Sequence, residues 1–171
     1  MLRAQCHDRE ALEALLRSIQ PSLRRYLAGL AGSPDGDDLL QDVLVILIRR
    51  IGTLQEPKLF RPWAFRIASR EAFRHIRKRR LWTSRHEDGT LLDDLPGVEP
   101  PPSGELLREL LAIESISPAS RAVLILHFEE ELPLAAVAAI LDIPVGTAKS
   151  RLAYGLRAIR KHWPPSGGSH G

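Results

Sequence analysis

A single cysteine, Cys6, stands in the 171 residues. That excludes an intrachain disulfide, and neither a zinc site nor a CxxC redox pair can be built from it. A free, inert thiol is the expectation. Aromatic residues make up only 5% of the chain, whereas Ala, Leu and Arg dominate, a balance that favours helices. No convincing strand pattern and no internal repeat occur. The longest apolar runs, Val43 to Ile48 and Leu134 to Leu141, are far too short to span a bilayer. Charges interrupt the first twenty residues, where a secretory signal would need an apolar stretch. No membrane insertion and a cytoplasmic location are therefore expected. Catalytic signatures are missing too. His75, His86, His127 and His162 are scattered without HExxH-like metal spacing, and there is no Gly-rich phosphate loop or G-x-S-x-G elbow. The expectation is a protein that is not an enzyme, with no catalytic residue, metal or cofactor.

What the chain has is charge in blocks. The formal net charge is only +3, yet residues 61–85 carry nine Arg or Lys and one acid, Glu71. Residues 86–117 carry eight acids and one base, Arg108, and residues 144–163 carry five bases and no acid. Two basic blocks around an acidic spacer imply two contacts with a polyanion.

Hydrophobic spacing supplies the elements. Residues 8–30 read as an amphipathic helix through Leu12, Leu15, Leu16, Ile19, Leu23 and Leu27, with a kink or break expected at Pro21. Gly29, Gly32, Ser33, Pro34 and Gly36 mark a turn. A second helix is expected from about Asp37 to Ile51, a loop from Gly52 to Lys58, and a third helix from about Leu59 to Arg80. The Gly- and Pro-rich stretch ending at Gly104 reads as a linker. A short helix near Glu105 to Ile113 follows. Ser117-Pro118 then reads as an N-cap with Pro in the first turn, opening a helix to about Glu130. Leu134 to Leu141 is another helix, Asp142 to Pro144 a tight turn, and Val145 to about His162 the last helix; the tail from Pro164 is expected to lack order. The fold class is all-α: two small helical domains joined by a flexible linker, the second carrying a helix-turn-helix.

On a helical wheel of the last helix, Val145, Ala148, Leu152, Gly155, Leu156 and Ile159 share one arc and form its core face. Gly146, Thr147, Lys149, Ser150, Arg151, Ala153, Tyr154, Arg157, Arg160 and Lys161 occupy the rest, without an acid. A solvated helix could show the same face. The short helix and tight turn before it favour a helix-turn-helix, whose second helix enters the major groove. Lys149, Ser150 and Arg151 can then donate to base edges or phosphates, and Arg157 and Lys161 to phosphates. In the third helix Ala64, Phe65, Ala68, Ala72 and Ile76 form a core face, and Arg66, Arg70, Arg74 and Arg77 share an opposite arc with Trp63 nearby. Such a row of guanidiniums suits phosphates. Trp63 is equally a core residue or a platform for an unpaired base. In the second helix Asp38, Gln41, Asp42 and Arg49 share one side with Val45 among them, while Leu39, Val43, Leu44, Ile46, Leu47, Ile48 and Ile51 cover the remainder. Burial nearly all round is expected there. Val45 reads as part of a docking surface or as one exposed Val.

The stretch LAAVAAILDIPVGTAKSRLAYGLRAIRK (134–161) resembles the promoter-reading helix-turn-helix of bacterial RNA polymerase sigma factors of the extracytoplasmic-function (ECF) type, in the sigma-70 superfamily. LuxR-like regulators share a related pattern, so a stand-alone transcriptional regulator is the alternative from this half. DDLLQDVLVILIRRI (37–51) resembles the sigma segment that docks on core RNA polymerase, and FRPWAFRIASREAFRHIRKRR (60–80) the helix that contacts the −10 element and holds melted DNA. The resemblance implies region 2 over 1–81, a linker over 82–104, region 4 over 105–163 and a tail over 164–171. It implies core docking by Asp38, Gln41, Asp42 and Val45, and −10 binding and melting by Trp63, Arg66, Arg70, Arg74 and Arg77. It assigns −35 binding to Thr147, Lys149, Ser150, Arg151, Tyr154 and Arg157. The loop 52–58 corresponds to the family's pocket for a flipped −10 base. Core RNA polymerase and promoter DNA are the implied partners, with an anti-sigma factor a further expectation. The chain departs from the family at Ala153, where a bulky His or aromatic is frequent, and near Ile48, where many members have an aromatic.

Overall fold

The computed structural model describes residues 8–83 and 115–162, and every long element among them is helical. They divide into two compact units. The first contains α1 (Arg9–Ala31), α2 (Ser33–Arg50), single 3-10 turns at Ile51–Thr53 and Pro57–Leu59, and α3 (Phe60–Thr83). The second contains α4 (Pro118–Leu124), a π turn (Ile125–Glu129), the first part of α5 (Leu134–Leu141), up to Ala138, and α6 (Val145–His162). The expected short helix near residue 105, the linker and the tail lie outside the described residues.

Asp8 starts α1 as its N-cap, accepting from the amide of Ala11 at 3.1 Å. The helix runs unbroken through Pro21, against the break expected there. Pro21 lies on the exposed side, where water can serve the carbonyl one turn back that loses its partner. The core residues Ile19, Leu23, Tyr26, Leu27 and Leu30 line the opposite side.

The expected turn over 29–36 shrinks to one residue. Gly32, at φ +88°, ends α1 and begins the reversal, a conformation that L side chains rarely adopt. α2 then starts at Ser33, four residues before the expected Asp37, because Pro34 fits a first helical turn and Asp35 suits the positive end of the helix. Gly36 lies against α1 so closely that a Cβ would stand 2.7 Å from the Ala28 Cα. The helix α3 closes the unit with small residues. Ala64, Ala68 and Ala72 are fully buried, and the Phe65 ring meets Tyr26 edge-on at 5.4 Å. The Tyr26 hydroxyl donates to Ser69 Oγ at 2.7 Å, and Ser69 donates in turn to the carbonyl of Phe65 at 2.7 Å. Burial pushes the Tyr26 phenol far above its usual range, so it remains a donor.

In the second unit Ser117 caps α4 as expected, accepting from the amide of Ser120 at 3.2 Å, with Pro118 in the first turn. The helix does not continue as α to Glu130: it widens into the π turn, in which the amide of Glu130 reaches the carbonyl of Ile125. The His127 ring Nδ1 donates to the carbonyl of Leu132 at 2.8 Å, and Glu131 takes a positive φ of 54°. The helix α5 ends in a Schellman arrangement. Asp142 has φ 57°, and the amide of Ile143 reaches the carbonyl of Ala138. That geometry makes the tight turn into α6.

Candidate nucleic-acid interface and docking surface

The second unit sets α6 on a buried support. Ala148, Leu156 and Ile159 of α6 are buried as the wheel placed them, and Ala158 joins them. Gly155 lets α6 press against α4: a Cβ there would lie 2.6 Å from the Leu124 Cδ1. Val145 departs from the expected core face and is 42% exposed. It stands in the first turn of α6, beside the exposed residues Asp142 and Pro144. Leu152 is only half-buried.

On the outward side Lys149, Arg157, Arg160 and Lys161 are exposed, Tyr154 is half exposed, and Thr147, Ser150 and Arg151 are half-buried. Ser150 donates to the carbonyl of Gly146 at 3.1 Å. Its proton is thereby committed, and its oxygen is left as an acceptor. Partial burial lowers the Arg151 pKa from its ordinary value; the guanidinium still carries its charge at neutral pH. The result is a cationic face free of carboxylates, suited to a polyanion.

In the first unit Arg70, Arg74 and Arg77 are exposed on α3 and Arg66 is half-buried. Arg74 pairs with Glu71 three residues earlier. Trp63 settles between its two readings: it is half-buried, with its ring 6.2 Å from that of Phe60, and presents part of its surface. Ile76, expected in the core, is half-buried. The segment between α2 and α3 is pinned by buried Ile51 and Leu54, while Gly52, Thr53, Gln55, Glu56, Lys58 and Leu59 are exposed.

The helix α2 is less enclosed than its composition suggests. Leu39, Leu40, Val43 and Leu47 are buried, but Leu44 and Ile46 are half-buried and Ile48 is 44% exposed. Val45 is 45% exposed and lies between exposed Asp38, Gln41 and Asp42. Sequence reasoning placed Val45 on this face and missed Ile48. Ile48 sits three residues on from Val45 and seven from Gln41, so the helical period itself carries the signal. Among the described residues no cluster of His, Cys, Asp and Glu could hold a metal, and no helix is long and apolar enough to cross a membrane.

Two helical units, one ending in a helix-turn-helix and the other in an Arg-lined helix beside an exposed acidic and aliphatic strip, define a two-module DNA-binding protein. The family models Sigma-70 region 2 and Sigma-70 region 4 match residues 15–81 and 112–161. The RNA polymerase sigma factor NccH of Alcaligenes xylosoxydans xylosoxydans is 30% identical over 132 residues, 69% of this chain and 71% of that protein. The ECF RNA polymerase sigma-E factor of Escherichia coli is 26% identical over 169 residues, 92% of this chain and 88% of that one. The fold is also that of the sigma factor RpoE crystallised with the anti-sigma factor NepR from Bartonella quintana, with a TM-score of 0.70, 21% identity and coverage of 89% and 96%. The chain belongs to the sigma-70 family of bacterial RNA polymerase sigma factors and is of the ECF type. It is an alternative sigma factor that directs promoter-specific transcription initiation. The region 2 match removes the stand-alone LuxR-like regulator, which has no such half.

Proposed function

We propose that the two modules divide the work residue by residue, as region 2 over 1–81 and region 4 over 105–163, with the segment between as a linker. Thr147, Lys149, Ser150, Arg151, Tyr154 and Arg157 read the −35 element. The observation that carries this is the acid-free outward side of α6, on which Lys149 and Arg157 are exposed about two helical turns apart. Arg66, Arg70, Arg74 and Arg77 hold the phosphate backbone near the −10 element, and the partly exposed Trp63 offers a stacking face to an unpaired base. The segment 52–58, pinned by buried Ile51 and Leu54 and otherwise largely exposed, receives a flipped base. On α2, Asp38, Gln41, Asp42 and Val45 dock core RNA polymerase: an aliphatic centre rimmed by acids has the make-up of a protein interface.

In this reading the protein works in the cytoplasm, is not itself an enzyme and holds no cofactor; the polymerase makes the RNA. A similar fold has been crystallised with an anti-sigma factor, and we extend that kind of partner to this chain. The test is in vitro transcription of a genomic library by core polymerase, with and without the protein. Protein-dependent starts should share a promoter of two separated sequence blocks. Starts that share a single block would sink the two-module reading.

A further inference from the structure

Asp35 lies in the first turn of α2, and its Oδ2 accepts from two side chains of α3. One is His75, through Nε2 at 3.2 Å; the other is the Arg79 guanidinium. His75 and Arg79 are four residues apart and stand one above the other on the helix. Their donors converge on a single anionic oxygen. On a wheel this pair faces away from the row Arg66, Arg70, Arg74 and Arg77. Neither half of the pair is sealed in: about two thirds of the Arg79 side chain and a third of Asp35 and His75 are exposed (66%, 31% and 35%).

We propose that His75 and Arg79 form a second binding site on α3 for a DNA backbone phosphate, and that Asp35 occupies it in the free protein. A carboxylate oxygen held by a guanidinium and an imidazole N–H stands in for a phosphodiester oxygen, which makes the same charge-assisted bonds. The energetics allow an exchange. An ion pair this exposed is weak, because solvent and salt screen it and ordering two side chains opposes it. A phosphate taking the place of Asp35 releases condensed counterions as well. Asp35 itself stays favourably placed at the N-terminus of α2 when its partners leave. The site is a point of attachment on α3 separate from the Arg row, reached through the exposed part of Arg79. The inference rests on the reading that α3 binds promoter DNA.

The test uses the full chain and a fluorescein-labelled forked DNA of mixed sequence, which presents phosphates on both arms. Fluorescence anisotropy gives affinity across a salt series. Asp35→Asn should raise affinity about three- to tenfold and steepen the slope of log K against log salt by about one, as one added phosphate contact requires. Adding Arg79→Ala should return both to the level of Arg79→Ala alone. With Asp35 intact, Arg79→Ala should leave the slope nearly unchanged. Asp35→Ser, a residue well suited to a helix start, repeats the test if Asn weakens the fold. A gain that survives Arg79→Ala is only long-range charge and overturns the proposal. So does a flattened slope from Arg79→Ala with Asp35 present, since Arg79 would then already be on the DNA. Arg77→Ala distinguishes the two levels. If it leaves the slope unchanged, the reading of the Arg row fails and takes this site with it. If it flattens the slope while Asp35→Asn brings no gain, the second site alone is wrong.

Discussion

Ser69 spends its one proton on the carbonyl of Phe65, so the Tyr26 hydroxyl is the donor between the two side chains. Removing either partner therefore has unequal consequences. Ser69→Ala strands a fully buried donor, which costs about 1–3 kcal/mol, whereas Tyr26→Phe leaves Ser69 still bonded and costs about 1 kcal/mol. Urea unfolding of both variants should show that order; equal losses would mean that Tyr26 finds another acceptor. A second residue carries backbone strain. Glu131 is exposed with φ 54°, where its Cβ crowds the backbone. Glu131→Gly relieves that crowding and removes no buried group, so stability should rise by about 1 kcal/mol, seen as a higher melting temperature. A lower one would show that the Glu131 side chain holds the π turn together.

Helix boundaries fixed by local chemistry were legible in the sequence, and faces fixed by neighbours were less so. Ser117-Pro118 and the Asp142 to Pro144 turn were read correctly because a cap or a turn is decided within a few residues. Gly29 to Gly36 misled because five turn-forming residues look alike in sequence, and only Gly32 has the turn conformation. Gly36 is there for closeness of packing, which no local pattern reveals. Gly36→Ala should cost about 1–3 kcal/mol or more, since the Ala28 backbone cannot step aside. Gly52→Ala, which meets open space, should change stability by no more than roughly 0.5 kcal/mol. Comparable melting temperatures for the two would refute the tight α1–α2 crossing. The exposure of Val145 likewise depends on whether another element lies over it, and one-dimensional periodicity cannot say. The exposed cationic positions Arg70, Arg74, Arg77, Lys149 and Arg157 were legible because charge keeps them at the surface. The Asp35 cluster was not, because its members are 40 and 44 residues apart. At the same scale the roles of α6 and α2 can be separated. Lys149→Ala with Arg151→Ala should weaken −35-dependent promoter binding by about 1–3 kcal/mol for each base no longer read and spare core polymerase binding. Gln41→Ala with Asp42→Lys should do the converse. Equal loss of core affinity in both pairs would overturn the division.

In the proposed division of work the two modules matter together, because each one alone would hold DNA by only a few groups. A recognition helix and an Arg row each bind DNA weakly at physiological salt, where screening and counterions take most of the gain. Held on one polymerase, the second binding event becomes intramolecular and its effective concentration rises steeply, provided that both sites can be reached at once. Geometry is therefore as important as sequence. Inserting five base pairs between the two promoter blocks turns them by about half a helical turn, onto opposite sides of the duplex. Protein-dependent initiation in vitro should then fall by about a hundredfold or more, as avidity is lost. An insertion of ten base pairs restores the face but lengthens the span by about 34 Å, so recovery should be partial at most. Full activity with the five-base-pair insertion would mean that one module suffices, and the two basic blocks that first marked this sequence would need separate explanations.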